Sequence, residues 1–216
     1  MKGLLLRDCF IIRKKYLNRL VIVFLTIGVI GSVALGPFVS STLGLCFPFL
    51  APVMIINIFS EDEKDNWDRT AKLLPLSTSD IVRARYLVFG IMILVSFCMA
   101  LLLIALSALV HSEQYTPWYF VFPAVGLVGA MIYVSLVIPF CYKYGAQGSA
   151  AVSMGLLILA SASGFLVRQD SVLSVILSIA KLPVPVHIIN SAIVVLILTL
   201  ISYFVSLKIY DAKEMK

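Results

Sequence analysis

Ser60 and Glu63 stand three residues apart at the head of the chain's longest polar run, Ser60–Arg85. That spacing is a capping box, in which the hydroxyl and the carboxylate each satisfy a free amide at a helix start. Glu61, Asp62 and Glu63 would fill the first turn, where the helix dipole favours negative charge. Asp65–Arg69 and Asp68–Lys72 are i,i+4 pairs, each worth about 0.2–0.5 kcal/mol. Pro75 stops the helix, and Ser77–Asp80 caps the next one. Trp67 is the one large aromatic on this charged helix. It either packs back on its own protein or anchors a partner, a role in which Trp is over-represented. Glu63, Asp65, Trp67, Asp68 and Arg69 are therefore the candidate docking residues.

Elsewhere the residues that do chemistry are sparse. The apolar runs on either side hold no Asp, Glu, Lys, Arg or His well inside them, whereas proton relays and ion-coupled carriers keep such groups on their pathway. No nucleophile and base, carboxylate pair or metal-ligand set can be assembled within them. His111 and Glu113 stand together in a loop and read as plain solvated polarity. There is no G-x-x-x-x-G-K-[ST] run for ATP phosphates. Cys9, Cys46, Cys98 and Cys141 are widely spaced and read as small hydrophobes, not a disulfide frame or a zinc site. No cofactor is expected. Energy for any transport would have to enter from another subunit, and the polar run is its natural entry point.

The chain has 216 residues, 61% hydrophobic and 13% charged, with a mean hydropathy of +1.05. Soluble domains are nearer a quarter charged, so the expected class is an all-α integral membrane protein. Residues 1–19 carry six Lys/Arg. Leu5, Leu6, Cys9, Phe10, Ile12, Tyr16 and Leu17 form one face there, and Arg7, Asp8, Lys14, Lys15 and Arg19 the other. This fits a helix lying in the membrane interface rather than a cleaved signal peptide.

Six spans are expected, at 20–36, 38–59, 81–110, 118–142, 147–167 and 189–207. Gly36-Pro37 turns the chain between the first two, and Pro48 and Pro52 should kink the second. The third is about 45 Å long at helical rise, so its start should protrude from a core of about 30 Å. Tyr115, Trp118 and Tyr119 suit an interfacial aromatic belt. Gly28, Ser32 and Gly36 in the first span, and Ala151 and Gly155 in the fifth, give small-residue faces that permit close helix packing. Residues 60–80 form the polar segment between spans. Residues 168–188, with Ser171, Ser174 and Ser178 ahead of Lys181 and Pro183, hold a helix too short to cross, which reads as an external interfacial or re-entrant helix.

Charge sets the orientation. With six spans, fifteen Lys/Arg fall on the side of the N-terminus, the polar segment, Lys143 and a basic tail (Lys208, Lys213, Lys216). Only Arg168 and Lys181 fall on the other. By the positive-inside rule both termini are cytoplasmic. The net charge of +6 is thus spent on membrane orientation and calls for no nucleic acid.

Lys2–Asp8, Asp62–Arg69 (DEKDNWDR), Leu73-Leu-Pro75, Asp80-Ile-Val82 and Arg85-Tyr86 resemble small bacterial ABC transporter permeases of the type-two exporter class. Arg85 stands where a Lys is expected and keeps the charge. The resemblance covers the whole chain. It implies a cell-membrane permease subunit of an ATP-driven exporter. The 60–80 segment would be a coupling helix docked on a separate cytosolic ABC ATPase, present in two copies. A second permease, identical or paralogous, would pack on spans one and five. Some relatives export bacteriocins, lantibiotics or amphipathic cytolytic peptides. The alternatives are a non-transporting immunity or sensor subunit and a secondary carrier, the latter disfavoured by the uncharged spans.

Overall fold

The long apolar runs leave their backbone amides no partner but each other, so they fold as helices. The computed structural model describes residues 2–13, 20–73, 77–114, 116–166 and 184–214, and among them there are helices and turns but no strand. Helix α1 (Lys2–Ile12) is followed by α2 (Leu20–Ala34). Gly36 then turns at φ 82°, a left-handed value that suits glycine, and Pro37 opens α3 (Pro37–Cys46). The chain tightens to a 3-10 turn at Phe47–Phe49, around Pro48, and continues as α4 (Leu50–Lys64). Pro52 lies in the first turn of α4, where its missing N–H is not needed. Next come α5 (Trp67–Lys72), α6 (Thr78–Val110), two 3-10 turns, α7 (Val121–Tyr144), α8 (Gln147–Leu166) and α9 (Val184–Glu214).

Four stretches among the described residues are long and apolar enough to cross a membrane: Pro37–Lys64, Thr78–Val110, Val121–Tyr144 and Val186–Ala212. With the hydrophobic composition they make this a multi-pass membrane protein. The described part of α2 has 15 residues, about 22 Å at helical rise. Helix α7 is the centre of the bundle, with α3, α8 and α9 packed around it and α6 against α2, α3 and α9. The core is Ala51, Ile55, Phe59, Val82, Phe89, Val134, Val137 and Ile138. Backbones touch where glycine allows it: a Cβ on Gly126 of α7 would strike the Leu45 carbonyl of α3. Hydroxyls join the helices at other points. Tyr86 on α6 bonds Ser202 and Ser206 on α9 (2.6 and 3.1 Å), and Tyr133 on α7 bonds Ser153 on α8 (2.8 Å).

Several expectations change. The Ser60–Glu63 capping box does not form, because α4 runs unbroken through Ser60 to Lys64. Nothing between Asn57 and Glu63 interrupts the helix, so no free amides are left there to cap. The break comes at Asp65-Asn66, with Asn66 left-handed at φ 49°, and the short helix starts at Trp67. The expected second cap does form: the Ser77 hydroxyl accepts from the Asp80 amide at 3.2 Å. The last helix starts at Val184, before the expected 189, and the basic tail is helical to Glu214. The re-entrant segment at 168–188 lies outside the described residues up to 183. On α1, Asp8 is only 4% exposed and packs inward with Leu4 and Ile12, one turn apart. Leu6 (70% exposed), Cys9 and Phe10 face outward, so the inward face is the mixed one.

Candidate functional site

Three helices that carry charge at one end of the bundle meet there, and their charges alternate. Arg85, near the start of α6, is 3% exposed. Its guanidinium contacts Asp62, near the end of α4, and Asp8 of α1, the latter at 3.3 Å. Arg7 of α1 donates to the other Asp62 oxygen at 2.7 Å and lies 3.5 Å from Asp8. Two cations and two anions thus form a closed, neutral ring joining α1, α4 and α6. A charge this buried is tolerated only when it is paired and hydrogen-bonded. Burial pushes the Asp8 carboxyl above its ordinary range; Arg85 opposes that shift, nearby Asp62 adds to it, and Arg7 opposes it again.

Aromatic rings close over this hub. The Arg7 guanidinium stacks 3.6 Å from the centre of the Trp67 ring, and Arg85 lies 4.9 Å from that of Phe59. Phe59 meets Tyr142 of α7 edge-on at 5.1 Å, and Tyr142 meets Tyr210 of α9 at 5.4 Å. Beside them opens a cleft of about 320 Å³, bordered by Glu63, Trp67, Arg85, Tyr142, Lys143 and Gly145. On its far wall is the α7–α8 corner. Gly145 there has φ 68°, and the Ala146 amide donates to Glu63 Oε1 at 2.8 Å.

The sequence-derived docking residues are thus divided. Glu63 turns to Ala146 of its own chain. Trp67 is half buried on the core and covered by Arg7. Asp65 is exposed, and the side chains of Asp68 and Arg69 lie outside the described residues. Asn66, Thr70 and Leu73 share the exposed surface, Leu73 at 86%. The small-residue faces divide as well. A Cβ on Gly28 would meet Leu103 and Phe47 of the same chain, Ser32 is fully buried, and Gly36 is buried in the turn. The first of these faces is therefore covered by the chain itself. On α8, Ala151 is exposed and a Cβ on Gly155 would meet nothing.

The hub was not read from the sequence. In the sequence Arg7 and Asp8 fall on the charged face of an interfacial helix and Arg85 at the end of the polar run. The signal that could have found it is an arginine directly ahead of the apolar run of its own helix, Arg85-Tyr-Leu-Val-Phe, which needs a buried carboxylate if it is to pack. No group of three or more His, Cys, Asp or Glu among the described residues could hold a metal ion.

A family model described as "ABC-2 family transporter protein" matches residues 3–211, nearly the whole chain. No curated protein and no solved structure matches.

Proposed function

The chain belongs to the ABC-2 transporter family, and from that premise we propose that it is the membrane permease subunit of an ATP-driven exporter. The observation that carries this reading is the family match across 3–211, and with it the braced, charged end of the bundle. Helix α5 follows directly on α4, and the Arg7–Trp67 stack ties it to the hub. Thr70 of α5 and the flanking Asp65, Asn66 and Leu73 are exposed. In this proposal that surface meets a separate cytosolic ABC ATPase and Trp67 sets the angle of α5 beneath it. Two ATPases serve two permeases. The second permease packs on α8, at Ala151 and Gly155, where small residues are uncovered. Both termini and α5 are cytoplasmic, as the distribution of Lys/Arg requires of six spans.

The cargo proposed is an amphipathic peptide. The apolar groove between α7 and α9, lined by Leu127, Met131, Val195 and Leu196, supports an apolar cargo face. The test uses inverted membrane vesicles holding the permease and its ATPase. A fluorescent amphipathic helical peptide should accumulate with ATP and not with a non-hydrolysable analogue. Equal accumulation with both would reject ATP-driven peptide export.

A further inference from the structure

The hub and the Glu63 contact differ in kind. The Arg7–Asp62–Arg85–Asp8 ring, with Asp8 and Arg85 buried and Arg7 and Asp62 partly so, binds α1, α4 and α6 as one body, since parting a buried pair strands a charge. Glu63 is exposed and reaches a different part of the bundle. It lies on the last turn of α4, one residue past Asp62, and its carboxylate accepts from Ala146 at the N-terminus of α8. A carboxylate suits that position, with a free amide and the positive end of a 20-residue helix dipole before it. A second feature of the corner fits the same contact. A Cβ on Gly145 would collide with the Glu63 carboxyl group, so a side chain there would push the carboxylate from its present position. The corner is also tight, since a Cβ on Gly148 would strike the Phe140 carbonyl. The start of α8 is thereby pressed on the end of α7, and a force on one acts on both.

We infer that Glu63 is a positioning residue that passes displacement of the α4–α5 segment to the α7–α8 corner, and so to α8. This deepens the proposed function and rests on it, because the displacement would come from the docked ATPase. Glu63 is then turned inward as a link within the permease and is not a contact to the partner.

The test uses the full permease–ATPase complex, with the four native cysteines replaced by alanine and an environment-sensitive fluorophore on Gln147→Cys. Gln147 is exposed at the start of α8. ATP with vanadate should shift the emission of this probe. Glu63→Ala should abolish the shift while the ATPase stays bound and still hydrolyses ATP. Glu63→Gln keeps an acceptor oxygen and should restore the shift. A merely structural Glu63 would lower the amount of complex and its hydrolysis together, and Gln would not selectively restore the probe signal; that result overturns the inference. So does a wild-type shift in Glu63→Ala. If no ATPase binds the unsubstituted permease, the proposed function fails first and takes this inference with it.

Discussion

Arg85 is where a single side chain matters most. Arg85→Ala removes the buried one of the two cations between the Asp8 and Asp62 carboxylates and leaves Arg7 alone to offset both. The expected cost is about 3–5 kcal/mol, the usual range for breaking a buried pair. Thermal unfolding in detergent should show it as a large drop in midpoint, and Arg85→Met with Asp8→Asn, which keeps the Arg7–Asp62 pair, should recover much of the loss. Asp8 behaves differently. Its folded pKa is raised, so the folded state holds the proton more tightly than the unfolded chain. Its stabilising contribution is full below the unfolded value of about 3.9 and is lost as pH rises through the folded one. Relative to Asp8→Asn, the unsubstituted protein should therefore lose stability as pH climbs from about 4. Parallel melting curves across that range would contradict this.

Helices make contact where the sequence provides glycine. Gly126 lets α7 lie on the backbone of α3, and a backbone carbonyl cannot rotate away as a side chain can. Gly126→Ala should cost about 1–3 kcal/mol through overpacking, measured by unfolding midpoint. Gly90 has nothing within reach of an added Cβ, and Gly90→Ala should leave the midpoint unchanged or raise it slightly. At this scale much was legible in advance. Gly36-Pro37, Pro48 and the Ser77 cap act where their backbone chemistry says they must. Ser60 and Glu63 have the right spacing for a cap, and that spacing sets the start of the short polar helix too early. Spacing cannot show that α4 is still running when it reaches them. The Arg7–Asp62–Arg85–Asp8 ring was illegible for a different reason. It joins residues up to 78 positions apart in sequence, and no local pattern encodes that closure.

Across the whole molecule, the small residues left uncovered on α8 are the ones that should face a second copy. Ala151→Leu with Gly155→Leu should weaken permease self-association on native gels while leaving the monomer folded, because both positions face open space. Ser32→Leu should instead destabilise the monomer, since Ser32 is fully buried within its own chain. The membrane class and the charged end were readable from composition and Lys/Arg placement. Which face of α2 is used was not, because a small-residue stripe packs equally well on its own chain or on a partner. The central claim is that the open surface of α5 receives an ATPase. Its most direct test is affinity purification of the tagged permease from its native membrane, beside the Leu73→Asp variant. An ABC ATPase should co-purify in a one-to-one ratio with the unsubstituted chain, and Leu73→Asp should lose it while remaining folded. A permease that purifies without any ATPase, or an ATPase retained in full by Leu73→Asp, would contradict that claim.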